Sequence, residues 1–215
     1  MEDTFFKDYQ NFSQINVSRE TCVEFEHFIS MIQEKNKQIN LISKNTSNTM
    51  VLRERHIIDS AQIIDFVDFN SNTTCDLGSG AGLPGLVIAI LLKELKKNLK
   101  VCLYEKSFLK SRFLEDVSKK LNLNTEIIQK DIFKVKKVKT GTIMSRAFKP
   151  MPAILEIVNK NFSKYQNLIL FMGKSGEKNL KEISKNWFLD YEKKNSLTNK
   201  DSFILNIKKI EKKKI

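Results

Sequence analysis

A run of glycines between two apolar stretches constrains the fold more than any other feature of the chain. Residues 75–85 read Cys-Asp-Leu-Gly-Ser-Gly-Ala-Gly-Leu-Pro-Gly, an apolar run follows over 86–92, and this segment holds four of the seven glycines. Glycine adopts positive φ freely and has no Cβ to keep a ligand away. The pattern predicts a buried strand, a tight turn and a buried helix, with backbone N–H groups of the turn facing a nucleotide-like cofactor.

The cofactor that this turn would hold decides the function, and the residues support two answers. Three glycines of the turn fit G-x-G-x-x-G, and Glu105 follows about 20 residues later, as a dinucleotide site requires. Asp76, however, stands at the end of the strand, just before the turn. A carboxylate there would repel a pyrophosphate, whereas it would suit the positively charged amino-acid end of S-adenosylmethionine. Electrostatics therefore favours the methyl donor, and four glycines exceed what close packing alone needs.

Length and composition indicate a soluble enzyme with one main core. The 215 residues are 41% hydrophobic, which is ordinary for a globular domain, and the run 86–92 is too short to cross a membrane. The N-terminus is acidic where a secretory signal would be basic, so we expect a cytoplasmic protein. Cys22, Cys75 and Cys102 are scattered without metal-ligand spacing, so we expect buried cysteines and no metal site.

Charge is distributed unevenly along the chain. Residues 1–70 hold 7 basic and 11 acidic side chains, and the remaining residues hold 30 and 14, which gives a net charge of +12. Lysines cluster within 93–100, within 134–139 and in the tail, residues 208–214. A basic surface predicts a polyanionic partner such as RNA, because phosphate neutralisation supplies sequence-independent affinity. A compositional bias of the genome toward lysine would produce the same excess without RNA contact.

Hydrophobic spacing predicts helices first and an alternation of strands and helices afterwards. Residues 18–39 and 52–67 carry helical patterns, and Ser18 is a candidate N-cap. Predicted strands then cover 73–77, 100–105, 125–129, 142–145 and 168–172, with helices at 84–95, 107–121 and 150–162. This alternation predicts a parallel sheet covered on both faces.

The end of the chain breaks the alternation. Residues 187–191 and 202–207 read as two further strands joined by a short polar stretch, which predicts a closing antiparallel hairpin. The expected fold class is therefore α/β, with a mostly parallel Rossmann-like sheet preceded by N-terminal helices. This ending favours a methyltransferase-type sheet over a dinucleotide domain. We expect a helical extension over 1–70, packed on a core domain over 71–215. The lysine-rich tail is the only candidate for disorder, and the sequence leaves open whether it is ordered.

Ligands of an open parallel sheet bind beyond the carboxyl ends of its strands, so the residues after each strand predict the site. These residues are Asp76 with Gly78 to Gly82, then Glu105, then Lys130 and Asp131, then Ser145, Arg146 and Ala147, and finally Gly173 and Lys174. Glu105 is suited to accept both ribose hydroxyls of an adenosine. Each residue alone has a plainer interpretation, such as an ion pair of Glu105 with a nearby lysine or a turn cap by Asp131. Together they predict an adenosine-containing ligand.

At this point the motifs resemble a known family. They are Asp-Leu-Gly-Ser-Gly-Ala-Gly-Leu-Pro-Gly-Leu at 76–86, Phe-Leu-Glu at 113–115 and Ser-Arg-Ala-Phe at 145–148. They closely resemble the RsmG family, also called GidB, of bacterial methyltransferases that act on small-subunit ribosomal RNA. The similarity extends from about Phe25, through Asn-Leu-Ile-Ser at 40–43 and Arg-His-Ile-Ile-Asp-Ser at 55–60, to Lys174.

The resemblance implies a class I methyltransferase that uses S-adenosylmethionine to methylate N7 of a guanosine in the decoding-region loop of 16S ribosomal RNA. The partner would be that RNA or the assembling small subunit, and we expect a monomer. Carried over by position, the donor contacts are Gly78, Leu83, Lys130, Asp131 and Arg146, and the strand-end pattern adds Asp76, Ser79, Gly80 and Glu105. Ser43, Glu105 and Asp131 stand where the family usually has Thr, Asp and Glu, which keeps each functional group and changes its reach.

The implied reaction demands little from side chains. Guanine N7 carries a lone pair and no proton, so it attacks the methyl group without a general base, and holding the reactants in line lowers the barrier by about 7 to 11 kcal/mol. We therefore predict Arg146 and Lys174 as the catalytic residues, which orient the donor carboxylate, the base or nearby phosphates. His56 is a further candidate for RNA contact, although a single helical histidine is more often structural.

Two other functional classes stay open on the residues alone. One is an NAD-dependent oxidoreductase, against which Asp76 and the terminal hairpin argue. The other is a non-catalytic RNA-binding module, against which the intact glycine turn with Glu105 and Asp131 argues.

Overall fold

The structure is a computed structural model that describes Tyr9, residues 16–43, Asn45 and residues 47–213. The acidic first residues, on which the expected cytoplasmic location rests, and Lys214 of the basic tail lie outside the described residues. Within the described part, no helix is long and apolar enough to span a membrane. The three cysteines are buried and unpaired, as predicted.

The N-terminal part begins with helix α1 (Arg19–Asn36). The predicted N-cap is confirmed, since the Ser18 hydroxyl accepts a hydrogen bond from Thr21 N at 3.2 Å. The helix ends at Asn36, before the predicted end at residue 39, because the Asn36 side chain accepts from Leu41 N and Ile42 N at 2.9 and 3.0 Å. These two bonds turn the chain away from the helix axis.

The single helix predicted over 52–67 is wrong in detail. The segment consists of α2 (Thr49–Leu52), a π-helical turn (Arg53–Ile58), α3 (Asp59–Ala61) and a 3₁₀ turn (Ile64–Phe66). It starts earlier than predicted because Asn48 caps it by accepting from Met50 N at 2.9 Å. Single π-helical turns inside α-helices are frequent at functional sites.

The predicted sheet is confirmed. Its parallel strands are β1 (Thr73–Leu77), β2 (Lys100–Tyr104), β3 (Thr125–Ile128), β5 (Thr142–Ser145) and β7 (Asn167–Met172). The closing hairpin consists of β8 (Trp187–Asn195) and β9 (Phe203–Lys212), and β9 runs antiparallel to β7. The strand order β3-β2-β1-β5-β7-β9-β8 is that of a mostly parallel sheet with an antiparallel edge.

Three predicted helices cover the parallel strands: α4 (Gly85–Glu94), α5 (Phe108–Lys120) and α6 (Met151–Asn161). The structure adds elements that hydrophobic spacing did not predict. They are a two-stranded sheet of β4 (Val138–Lys139) and β6 (Phe162–Lys164), a 3₁₀ turn (Ile132–Lys134) and helix α7 (Gly176–Ile183).

The structure answers a question that the sequence left open, the order of the lysine-rich tail. Residues 208–212 belong to β9, and Lys213 N donates to Asn186 O at 2.9 Å. The strand continues because Ile207 and Ile210 are buried while the lysines between and beyond them stay exposed. The backbone pairing of β9 with β8 and this apolar face outweigh the local charge.

The core has two parts, one on each face of the sheet. Apolar side chains of α1, such as Phe25 and Phe28, share one cluster with α4 residues and with Val101 and Leu103 of β2. Residues of α6 and of the hairpin form the other cluster with the opposite face of β1, β5 and β7. The N-terminal helices therefore pack on the same core as the sheet, and they reach its carboxyl edge.

Candidate active site

The glycine turn after β1 has the geometry of a ligand cradle. Gly78, Gly80 and Gly82 have φ values of 71°, 57° and 86°, a region that other residues rarely adopt. The turn is fixed to the next strand, because Gly78 N and Ser79 N both donate to Tyr104 O at 2.9 and 3.1 Å. A Cβ on Gly80 would meet only Gly78 O, at 3.8 Å, so the space in front of this backbone is open. A ligand can approach it closely.

Asp76 lies behind this cradle. Its side chain is 1% exposed, Oδ2 accepts from Gly85 N at 3.0 Å, and Oδ1 has no hydrogen-bond partner. Burial raises the pKa of Asp76 to about 7, although the Gly85 N–H opposes this shift. Asp76 therefore supports the turn and the first residue of α4 from below, and its carboxylate does not line the cavity described next.

A cavity of about 670 Å³ opens in front of the turn at the carboxyl edge of the sheet. Eight residues of the predicted donor site line it: Gly78, Ser79, Gly80, Leu83, Glu105, Lys130, Asp131 and Arg146. The N-terminal part contributes four further lining residues that the strand-end pattern could not include: Leu41, Ile42, Ser43 and His56. We call this space the donor cavity.

Glu105 lies between the glycine turn and the start of the next helix. It is 8% exposed, its Oε2 accepts from Gly80 N at 3.0 Å, and its Oε1 accepts from Ser107 N at 2.8 Å. A carboxylate accepts about four hydrogen bonds, so each oxygen retains a lone pair for a diol. The Glu105 carboxylate is thus held rigidly at the wall of the donor cavity.

The segment after β3 forms the outer wall of the donor cavity. Asp131 caps the following 3₁₀ turn, since its Oδ1 accepts from Phe133 N at 3.1 Å, and Lys130 is exposed. Phe133 is 47% exposed, and its ring centroid lies 6.5 Å from that of Phe148. Both rings line the donor cavity and supply the apolar surface that the heterocycle of a nucleoside requires.

Arg146 follows β5 and joins this wall to the N-terminal helices. Its Nη2 lies 3.0 Å from Asp59 Oδ2 and donates to Arg55 O at 2.5 Å, and its guanidinium lies 5.7 Å from the centre of the Phe171 ring. The side chains of Arg146 and Asp59 are 17% and 14% exposed. Burial lowers the pKa of Arg146 and Asp59 opposes the shift, so the guanidinium stays charged.

His56 is fixed in its neutral form beside Arg146. Its Nδ1 lies 3.1 Å from Arg146 Nη1, and a guanidinium can only donate, so Nδ1 accepts and Nε2 carries the proton. Burial first, and then the charges of Arg146 and Arg55, together lower the pKa of His56 from 6.5 to about 4. Nε2 has no hydrogen-bond partner in the described part of the chain.

Two predicted site residues do not line the donor cavity. Asp76 lies beneath the turn, and Lys174 is exposed in the turn that follows β7. Asp59, in contrast, lies in the family motif at 55–60 but was not predicted as a site residue, although it binds Arg146 directly. Its position within a helical pattern carries no strand-end signal, so its role follows only from the fold.

The residues around the donor cavity fit S-adenosylmethionine. The open glycine backbone, the carboxylate of Glu105 and the ring walls match an amino acid, a ribose and an adenine in turn. The described residues contain no group of three or more His, Cys, Asp or Glu side chains that could hold a metal ion.

Solved structures share this fold at low sequence identity. A SAM-dependent methyltransferase of Aquifex aeolicus matches with a TM-score of 0.55 and 14% identity, over 76% of this chain and 95% of that chain. The 16S rRNA methylase RmtB matches with a TM-score of 0.54 and 11% identity, over 91% and 77%. The sheet order, the glycine turn and these similarities define the fold as that of the class I S-adenosylmethionine-dependent methyltransferases.

Sequence relatives specify the family. The family model for rRNA small subunit methyltransferase G, GidB, matches residues 21–207. The ribosomal RNA small subunit methyltransferase G of Pelagibacter ubique is 58% identical over 98% of this chain and 99% of its own length. That of Rickettsia felis is 33% identical over 92% and 98%. The chain belongs to the rRNA small subunit methyltransferase G family.

Proposed function

We propose that this protein transfers the methyl group of S-adenosylmethionine to N7 of a guanosine in the decoding-region loop of small-subunit ribosomal RNA. The observation that carries the proposal is the family match over residues 21–207, which includes the glycine turn, Glu105 and Arg146 in one cavity. The family match disfavours an NAD-dependent oxidoreductase and a non-catalytic RNA-binding module.

The donor supplies an electrophilic methyl group on a sulfonium when it is bound. In our proposal, the backbone of Gly78 and Gly80 receives its amino-acid part, the Glu105 carboxylate accepts from the ribose hydroxyls, and Asp131 lies beside the adenine edge. Leu83 and Ser79 line the floor of the same cavity. Lys130 is exposed at its rim.

Arg146 has the central catalytic role in this proposal. Guanine N7 loses no proton when it is methylated, so Arg146 orients its neighbours and transfers no proton. Its three contacts, with Asp59, His56 and Arg55, hold the guanidinium in one position at the cavity wall. Lys174 lies outside the donor cavity, and we assign it to a phosphate of the RNA.

We further propose that the enzyme acts in the cytoplasm as a monomer on the small subunit or its RNA. The basic part of the chain after residue 70 supports RNA binding through phosphate contacts. We retain the division into an N-terminal helical extension, 1–70, and a methyltransferase domain, 71–215, as part of this proposal.

Incubation with labelled donor tests the function. Naked 16S ribosomal RNA, isolated small subunits and intact ribosomes are each offered as acceptor, and the modified base is mapped by cleavage at N7-methylguanosine. We expect label in the RNA at one guanosine, and Arg146→Ala should lower the rate more than about tenfold, or roughly 1.4 kcal/mol. Label in protein or in a small molecule would contradict the RNA assignment.

A thermal shift measurement tests the cofactor independently. S-adenosylhomocysteine should raise the melting temperature and NAD should not, because only a ligand of the native state stabilises it by mass action. Stabilisation by NAD alone would favour the oxidoreductase.

A further inference from the structure

A second cavity lies beside the donor cavity and plays no part in the donor contacts described above. Its volume is about 380 Å³, and Arg146 and Ala147 belong to the walls of both cavities. The remaining walls come from the end of β7, at Phe171 to Gly173, from the loop between β8 and β9, and from Asp59 with Arg55. We call this space the second cavity.

The wall of the second cavity is fixed by hydrogen bonds to a buried carboxylate. Asp59 Oδ1 accepts from Ser196 Oγ at 3.2 Å and from Thr198 Oγ1 at 2.9 Å, while Asp59 Oδ2 pairs with Arg146 at 3.0 Å. One side chain thus ties the β8–β9 loop to the arginine that separates the two cavities. The loop is held in place before any ligand arrives, as a binding site requires.

We propose that the second cavity binds the acceptor, a single nucleotide extruded from the RNA, with its base beside Arg146 and its N7 edge directed toward the donor cavity. This inference rests on the proposed function. Enzymes that modify a base within a stacked or paired segment must rotate it out into a pocket. Arg146 and Ala147, which both cavities share, mark where the methyl group would pass from donor to base.

The size and the polar groups of the second cavity suit one base. A volume of about 380 Å³ lies at the lower end of the range for small-molecule pockets, about 300 to 1,000 Å³, which leaves no room for a duplex. The half-buried Phe171 ring, over which Arg146 lies, offers an aromatic face at the wall. Asn199 and Ser202 place an amide and a hydroxyl at the loop side, where base edges can hydrogen-bond.

Charge at the mouth of the second cavity matches the phosphates that flank an extruded nucleotide. Arg55 lines the cavity and is exposed, and Lys174 follows Gly173, which also lines it. This position gives Lys174 a place next to the acceptor, although it does not line the donor cavity. Cationic side chains at such a rim bind the backbone and leave recognition to the pocket.

Gly173 lines the second cavity and permits a substitution there that meets no neighbouring atom. A Cβ at this position meets no atom within 4 Å, and the backbone φ lies outside the positive range that excludes side chains. Gly173→Leu should lower kcat/KM for small-subunit RNA more than about tenfold, and Gly173→Ala should lower it less. The affinity for S-adenosylhomocysteine, measured by calorimetry, and the melting temperature should stay close to wild type.

Asn159 is an exposed residue of α6 that lines neither cavity, so Asn159→Leu is the matched control for an added leucine. It should leave kcat/KM and the affinity for S-adenosylhomocysteine unchanged. An unchanged kcat/KM in Gly173→Leu would overturn the acceptor assignment. If Gly173→Leu lost as much affinity for S-adenosylhomocysteine as it lost in kcat/KM, the assignment would also be overturned, because the cavity would then belong to the donor. A wild-type enzyme that labels no RNA would contradict the proposed function itself.

Discussion

The two edges of the sheet both carry a large cavity, and they differ in what their polar groups do. At the amino edge, a cleft of about 1,000 Å³ is larger than the donor cavity of about 670 Å³. Its polar side chains bind one another: Asn167 Nδ2 donates to Asn206 Oδ1 at 2.7 Å, and Asn206 Nδ2 donates to Glu192 Oε2 at 3.2 Å. Asp68 accepts from Asn70 N and from the Ser71 hydroxyl.

The donor cavity at the carboxyl edge, in contrast, is lined by a side chain that has an unpaired polar atom. Three buried side-chain atoms of the described residues lack a hydrogen bond, His56 Nε2, Ser60 Oγ and Asp76 Oδ1; of these residues only His56 lines the donor cavity, and none lines the amino-edge cleft. Buried polar atoms are normally paired, so each exception needs an explanation. The comparison teaches that open backbone and unpaired polarity identify a ligand site better than volume does.

The largest contrast between the edges should come from their glycines. Gly78→Ala forces a side chain into a φ of 71° and places its Cβ 2.0 Å from the Phe148 ring. We expect the affinity for S-adenosylhomocysteine to fall about 100-fold, because the cradle and the ring above it must both move; isothermal titration calorimetry measures this.

Gly141→Ala at the amino edge is the control for that change. Its Cβ would meet Ser71 Oγ at 2.4 Å, so the melting temperature should fall while donor affinity is retained. Equal losses of affinity in the two variants would mean that the edges do not differ as described.

A smaller contrast should come from the two carboxylates. Glu105→Ala removes the acceptor of Gly80 N and of the proposed ribose contact, and hydrogen bonds to a charged group contribute about 1.5 to 3 kcal/mol. Donor affinity should fall roughly 10- to 100-fold in the same calorimetric assay. Asp68→Ala also removes a carboxylate that bonds its own loop, and it should change stability only. Loss of donor affinity in the Asp68 variant would contradict the assignment of the donor site to the carboxyl edge.

A pH titration should sharpen the comparison, because His56 at the carboxyl edge has a pKa lowered from 6.5 to about 4. As pH falls from 6.5 to 4, the unfolded chain binds a proton that the folded chain does not, so stability decreases. In His56→Gln, the free energy of unfolding should fall by about 1 to 2 kcal/mol less than in wild type over this range. This value allows for the partial solvent exposure of His56.

Urea unfolding at pH 7 and pH 4.5 measures the change. Subtracting the free energy of unfolding of wild type from that of the variant separates the contribution of His56 from that of Asp76. The raised pKa of Asp76 acts in the opposite direction, because it causes stability to be lost as pH rises from 3.8 to about 7. Replacement of the exposed His27 by Gln controls for the loss of an imidazole. Identical pH profiles for wild type and His56→Gln would refute the buried neutral form.

The smallest effect should come from single lysines. Lys174→Ala should lower kcat/KM for RNA a few-fold and reduce the slope of log rate against log salt by about 1, as expected for one phosphate contact. Lys139, which lines the amino-edge cleft, is an exposed lysine of the same type, and Lys139→Ala should leave the slope unchanged. Equal slopes for the two variants would remove Lys174 from the RNA interface.

The sequence predicted the elements whose signals are local. The bounds of β1 and β5 were correct to the residue, because a glycine directly follows β1 and another directly precedes β5. Helix α7 was missed, since only Leu180 and Ile183 supply an apolar face. The order of the tail stayed open because its pairing with β8 is a long-range interaction that local charge does not reveal.

The site residues that directly follow a strand in the sequence could be predicted. Eight proposed donor contacts line one cavity, but the inward turn of Asp76 toward Gly85 N depends on where α4 begins. The link from Asp59 to Arg146 joins distant parts of the chain, and no spacing rule connects them. Tertiary partners of this kind require the folded structure.

The Asp59 carboxylate connects the beginning, the middle and the end of the chain. Its partners Ser196 and Thr198 lie 137 and 139 residues further along, in the loop between β8 and β9. A nascent chain that has folded its glycine turn and parallel strands still lacks the loop that closes the wall next to Arg146. The Asp59–Arg146 pair therefore gains its two hydroxyl donors only after residues 196–198 have been synthesised, although both charged residues are present much earlier.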